Sequence, residues 1–204
     1  MERKLKSKYY INSFDKEGKI YDKKNRTLLL VIDEQPKLMN VMENGELTVL
    51  NTLVLIEAFK AYQMPILATE QYPKGLGRSD QRLVDVLDDD KIYPKTLFDA
   101  ATCEVLEFIE KNKIKSVVIA GAEGHVCVYQ SVRTLLDLGL NVFLVEDAVA
   151  SFKEEQKNLA IKTLSKMGAV IYNTEMALFD LARDSKDPHF KVISNLIKEM
   201  RARE

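Results

Sequence analysis

TLLLVID, residues 27 to 33, is an unbroken run of aliphatic and β-branched side chains closed by a single carboxylate. A strand with one wet face would alternate polar and apolar residues. This run does not, so it reads as a strand buried on both faces, as strands of a parallel sheet are. From Glu46 to Tyr62 the apolar residues Leu47, Leu50, Val54, Leu55, Ala58 and Phe59 recur at helical spacing, and Pro65 then opens a second extended run, PILATE. Strand, helix and strand make a βαβ unit.

The alternation continues to the C-terminus. QYPKGLGRS (71–79) reads as a loop around Pro73, Gly75 and Gly77, a short helical patch carries Leu83, Val84 and Leu87, and KIYPK is extended and ends at Lys95. A helix is predicted from about Ala100 to Lys111, a strand over SVVIAG (116–121), a helix from about His125 to Leu138, and a strand over NVFLVED (141–147) after the helix-ending Gly139. An amphipathic helix from Glu154 to Met167 stops at Gly168, AVIY is a last short strand, and Glu175–Arg183 and Phe190–Arg201 are terminal helices. The fold class is therefore α/β: a doubly wound, mostly parallel six-stranded, Rossmann-like sheet with helices on both faces, expected as one domain over residues 1–204. YYINSFDKEGKIYD, before the first strand, reads as two extended pieces about a DKEG turn, so residues 1–26 are expected to form an added hairpin or arm.

Thirty Lys and Arg against thirty-one Asp and Glu leave a net charge of −1. No global field draws the protein to nucleic acid or a membrane surface, which argues against a nucleic-acid-processing role. Two cysteines and no apolar run of about 18 residues fit a reducing cytoplasm and no membrane partner. The basic opening MERKLKSKYY suits a mitochondrial transit peptide, but Asp15 and Glu17 follow and Arg is sparse, so a cytoplasmic protein is expected.

Doubly wound sheets bind ligands beyond the carboxyl ends of their strands, near the point where strand order reverses. Three such ends carry Asp33, Lys95 and the turn leading into Cys127. Singly, each has a structural reading: a strand-end cap, a solvated lysine and a small buried thiol. Together they compose a reaction. A helix N-terminus and a nearby lysine favour a thiolate, a carboxylate can take the thiol proton and return it to a leaving group, and first-turn amides can face a developing oxyanion. Gly121 and Gly124 make the turn into Cys127 sterically possible.

LLLVIDEQ, YPKTLFDAAT, VVIAGAEGHVCVYQS and NVFLVEDAVAS occur in that order over most of the chain. This combination resembles the isochorismatase-like cysteine hydrolases, and TEQYPKGLGRS with the tail DPHFKVISNLIKE resembles the branch of YcaC-like and isochorismatase-domain-containing proteins. The resemblance implies the isochorismatase-like hydrolase fold, with Asp33 as base, Lys95 as thiolate-stabilising cation and Cys127 as nucleophile. It also implies a cis peptide at Ala122–Glu123 and an oxyanion site made by the backbone N–H groups of Glu123 and Cys127. Members are usually dimers or larger, so a homo-oligomer is expected.

Nicotinamidases of the same superfamily carry an Asp-x-His pair and a further His that hold a metal at the end of the second strand. This chain has TEQYPKG there, and its two histidines, His125 and His189, lie elsewhere. Gln71 and Tyr72 are poor substitutes for carboxylate and imidazole ligands, so no metal and no cofactor are expected. Glu70, Gln71 and Tyr72 border the crevice as candidate substrate-pocket residues, with Phe98 and His125 as further candidates. Phe98 also reads as core, and His125 also reads as satisfied by backbone or solvent. Cys103, inside AATCEVLEF with no glycine turn or cation beside it, reads as a small packing residue.

The leading reading is a metal-independent cysteine hydrolase that cleaves an amide-like C–N bond of a small-molecule substrate through a thioester-type intermediate. The alternative is a redox-responsive or scaffold protein that keeps the fold and a low-pKa thiol. A true isochorismatase or nicotinamidase activity fits less well.

Overall fold

A computed structural model describes residues 26–203. Apart from Arg26, the expected N-terminal hairpin or arm lies outside the described residues. The central strand β1 (Thr27–Ile32) is buried along its whole length, as its unbroken apolar run demands. A short helix α1 (Pro36–Met39) follows, then α2 (Gly45–Ala61), β2 (Ile66–Gln71), a four-residue helix α3 (Pro73–Leu76) and α4 (Gln81–Val86). Strand β3 (Ile92–Lys95), α5 (Cys103–Lys111), β4 (Ser116–Ala122) and α6 (Cys127–Asp137) come next. Strand β5 (Asn141–Ala150), α7 (Glu154–Met167), β6 (Val170–Tyr172), α8 (Thr174–Ala182) and α9 (Phe190–Arg201) complete the order.

The six strands form one sheet in the order β3-β2-β1-β4-β5-β6, and every pairing between them is parallel. This is the α/β, doubly wound architecture expected from the sequence. Alternate residues of β1 serve opposite faces. Leu29 and Val31 join Val54, Leu55 and Phe59 of α2 and Leu178, Leu181 and Ile193 of the C-terminal helices. Leu28, Leu30 and Ile32 join Val105 and Ile109 of α5, Val128, Val132 and Leu135 of α6 and Leu164 of α7. Strand order reverses between β1 and β4, and the crevice of such a sheet opens there.

Several boundaries differ from the sequence reading. Leu47 is exposed rather than core-facing. Helix α2 is instead buried through Val49, Val54, Leu55, Ile56, Ala58 and Phe59, because it packs against the sheet and against α8 and α9. Helix α5 starts at Cys103, not Ala100: Ala100 N–H donates to Ser131 Oγ at 2.7 Å and Ala101 N–H to Asp99 Oδ1 at 2.8 Å, which holds the preceding residues as a loop. Strand β5 runs three residues past Asp147, because its register with β4 shifts between Ile119 and Gly121, so that Gly121 pairs with Val149 and Ala122 with Ala150. That shift sets Ser151 beside the turn before α6.

Candidate active site

Strand β1 ends in three consecutive polar residues, Asp33, Glu34 and Gln35, and all three are buried. Asp33 adopts a left-handed backbone conformation, φ 55°, and its N–H donates to Thr69 O of β2 at 3.1 Å. Its carboxylate accepts the Thr69 hydroxyl at 2.8 Å through Oδ1 and Lys95 Nζ at 2.6 Å through Oδ2. Lys95 closes β3, two strands away from β1. Its Nζ also donates to Gln71 Oε1 at 2.6 Å and to Leu97 O at 3.1 Å, so all three ammonium protons have acceptors. A buried ion pair needs this satisfaction of its remaining donors.

Cys127 is the first residue of α6 and is 5% exposed, with Sγ 4.0 Å from Gln71 Oε1. The turn before it is fixed from both sides. Gly124 N–H donates to Ala150 O at 2.8 Å, and the amides of Val126 and Val128 both point to Glu123 O. Gly121, at φ 119°, lies so close to β1 that a Cβ there would sit 2.0 Å from Ile32 O. The Ala122–Glu123 peptide is cis. Ser131, one turn further along α6, donates to Cys127 O at 2.6 Å and accepts from Ala100, which ties the helix of the thiol to the loop that follows Lys95.

Three influences act on the thiol. The Cys127 thiol is pushed up to about 12, first by burial and then by the negative charge of Asp33, while Lys95 pulls it down less strongly. Burial and Asp33 favour the protonated thiol and Lys95 favours the thiolate, the first two outweighing the third.

The structure brings Asp33, Lys95, Cys127 and Gln71 together and separates the other candidates. Glu70 turns away toward the loop after α3, accepting Ser79 N–H at 2.7 Å and Ser79 Oγ–H at 3.0 Å. Tyr72, with φ 39°, and Phe98 are both about half exposed at the rim. His125 Nδ1 lies 3.2 Å from Ser151 Oγ. Cys103 is exposed, which corrects its reading as a packing residue: it sits at the solvent-facing start of α5 and lines a groove beside Lys95.

The donor set at the end of β2 does not suit the metal held there in nicotinamidases. Glu70 is spent on Ser79, and Gln71 donates to Thr96 O at 2.9 Å while its oxygen holds Lys95. Among the described residues no cluster of three or more His, Cys, Asp or Glu side chains is placed to hold a metal ion. No described helix is long and apolar enough to cross a membrane.

Two residues were passed over in the sequence. Gln35 accepts Gln71 N–H at 2.7 Å and donates to Gln71 O at 3.0 Å and Gly77 O at 2.6 Å, so it fixes the end of β2 that presents Gln71. Glu34 accepts the Thr52 hydroxyl of α2 at 2.5 Å, and its other oxygen, Oε2, is buried without a hydrogen-bond partner. The visible signal was DEQ placed directly between a fully apolar strand and Pro36, a segment too short to reach solvent before the chain turns.

The isochorismatase domain model matches residues 27–176, from the first residue of β1 into α8. The chain belongs to the isochorismatase family. Isochorismatase family protein 1A of Dictyostelium discoideum is 36% identical over 182 residues, covering 87% of this chain and 88% of that protein. Among solved structures, one described as the MAR1 ribonuclease of Caenorhabditis elegans superposes with a TM-score of 0.81 at 32% identity, covering 85% of this chain and 90% of that one. The fold is also that of Escherichia coli YcaC, described as an octameric hydrolase of unknown specificity, with a TM-score of 0.76 at 22% identity over 89% of this chain and 96% of YcaC. As a member of the isochorismatase family the protein is a hydrolase, and its substrate has to be read from the site.

Proposed function

We propose that the protein is a metal-independent cysteine hydrolase of a small molecule with an amide-like C–N bond, with Asp33, Lys95 and Cys127 as its catalytic residues. The observation that carries this reading is the buried Asp33–Lys95 pair beside a desolvated thiol. A protonated thiol needs a base at the moment of attack, and Asp33 is that base. Sγ bonds to the substrate carbonyl carbon as Asp33 takes the thiol proton, and the N–H groups of Glu123 and Cys127 receive the oxyanion. Collapse of the tetrahedral intermediate breaks the C–N bond, Asp33 protonates the leaving nitrogen, and a thioester remains. Water then attacks the thioester, giving its proton to Asp33, which returns it to the sulfur as the acid departs. Lys95 holds Asp33 in place through their 2.6 Å ion pair.

The nematode structure's description as a ribonuclease raises RNA as a substrate. The net charge of −1 and a nucleophile only 5% exposed fit a small molecule better. A homo-oligomer agrees with the apolar side chains Val41, Tyr72, Leu97, Phe98 and Phe152, all exposed in segments that follow the carboxyl ends of strands.

Screening small amides, carbamates and ureides tests the reading. Turnover is expected to vanish in Cys127→Ala, survive in Cys103→Ala and be unaffected by chelators. Activity that survives Cys127→Ala, or that follows bound zinc or iron, overturns it.

A further inference from the structure

Gln71 and Lys95 are partners in the parallel register where β2 and β3 end. Every polar group of Gln71 is engaged. Gln35 accepts its backbone N–H and donates to its backbone O, and its side-chain Nε2 donates to Thr96 O at 2.9 Å. A side-chain amide can be turned end for end, but a carbonyl on one side and an ammonium on the other admit a single orientation, with Oε1 toward Lys95. Oε1 accepts Lys95 Nζ at 2.6 Å and is also the oxygen 4.0 Å from Cys127 Sγ. One atom is thus in contact with both the cation and the thiol.

The charges that act directly on the sulfur are Asp33 of β1 and Lys95 of β3. The other ionisable groups nearby are bonded elsewhere: Glu34 to Thr52, Asp99 to Thr134 and the Ala101 amide, and His125, in the turn that also holds Glu123, to Ser151. An ammonium has three donors, and those of Lys95 go to Asp33 Oδ2, Gln71 Oε1 and Leu97 O, which leaves none for Sγ. Of these acceptors, Gln71 is the one that a side-chain change removes without taking a charge from the site. We propose that Gln71 is a positioning residue for the thiol: its Oε1 holds the Lys95 ammonium off the sulfur, so that removal of the thiol proton falls to Asp33 during attack. This role rests on the reading of Cys127 as nucleophile and Asp33 as base. A methionine at position 71 would fill a similar space with no oxygen, and the freed ammonium proton would turn to Sγ and stabilise a thiolate. A glutamate, kept ionised by Lys95, would retain the acceptor and set a negative charge beside the sulfur, which disfavours the thiolate.

The experiment follows Cys127 in full-length Cys103→Ser protein, where it is the sole cysteine. The rate of alkylation by iodoacetamide is read against pH, and the ultraviolet absorbance of the thiolate is read as a difference from the same protein carrying Cys127→Ala. Gln71→Met is expected to raise the rate at pH 9 by about tenfold, the weight of one charge-assisted hydrogen bond, and to bring the thiolate absorbance in at lower pH. Gln71→Glu is expected to lower the rate at pH 9. Looser packing alone would raise the rate in both variants, by one factor at every pH, and would leave the absorbance where it was. An unmoved absorbance in Gln71→Met, or rates that change in the same direction in both variants, overturns the proposal. If Gln71→Met does not fold, Gln71→Glu decides, and a rate no lower than the parent's overturns it. Amide turnover is read separately. A screen in which no amide is cleaved refutes the hydrolytic reading, and the alkylation profiles still decide whether Gln71 holds Lys95 off the thiol.

Discussion

Lys95 Nζ lies 2.6 Å from Asp33 Oδ2, and the two side chains are 1% and 0% exposed. With no solvent to screen it, this pair must stay complete, because removing one member leaves the other charge buried alone. Lys95→Met is expected to destabilise the fold by about 3–5 kcal/mol. The double variant Asp33→Asn, Lys95→Met should cost less than the sum of the two single changes, and urea midpoints of the four proteins measure the coupling.

The protonated thiol predicts an unusual alkylation profile. With Cys127 pushed up to about 12 by burial and by Asp33, its rate with iodoacetamide, read in Cys103→Ser protein, should climb through pH 10 without levelling. Asp33→Asn removes the second of those causes. It should therefore speed alkylation at pH 9 while lowering turnover of any amide substrate by about 10²–10⁴-fold, the usual weight of a general base. A plateau below pH 8 in the parent protein would show a stabilised thiolate and contradict this account.

Glu34 gives a stability prediction with a definite sign. Burial, opposed by the Thr52 hydroxyl, raises its carboxyl to about 8, so the folded protein binds this proton more tightly than the unfolded chain does. Stability on its account is greatest below the unfolded pKa, about 4.3, declines as pH rises toward 8, and is flat above that. At pH 7 the loss is on the order of 3 kcal/mol. Glu34→Gln keeps the shape without the charge, so its Tm should fall less between pH 5 and 8 than that of the parent protein. Parallel curves would refute this.

Two glycines with positive φ offer a matched pair. At Gly121 a new Cβ meets Ile32 backbone at 2.0 Å, whereas at Gly77, φ 84°, it meets nothing within 4 Å. Gly77→Ala should cost about 1–3 kcal/mol, the backbone penalty of its positive-φ extended conformation alone. Gly121→Ala adds a collision between β1 and β4 and should cost more than about 3 kcal/mol, with both values read from denaturant unfolding.

The parts of the fold that were legible share one property: they bury continuous apolar runs. TLLLVI and SVVIA announced β1 and β4 because no loop sustains such runs, and Gly139 and Gly168 marked helix ends. Asp33 was legible because it closes such a run, Lys95 because it closes the short extended KIYPK, and Cys127 because it follows the glycine turn after SVVIA. What the sequence hid depends on contacts made across the chain. The start of α5 is decided by Ser131, and the length of β5 by a register shift with β4. Gln71 read as one polar residue among three, and only the position of Lys95 singles it out. Cys103 was misjudged because cysteines are usually buried, and its exposure follows from a helix that begins later than its propensity suggests.

Asp33, Glu34 and Gln35 leave one strand end and reach three different neighbours: Lys95 of β3, Thr52 of α2, and Gln71 at the end of β2. No member of this trio can change size or charge without disturbing a separate layer of the protein, so substitutions there carry a penalty whatever molecule is being cleaved. The side chains of Tyr72 and Leu97, 52% and 66% exposed, stand outside this buried network. A change in those exposed side chains would leave the buried strand-end network as it is.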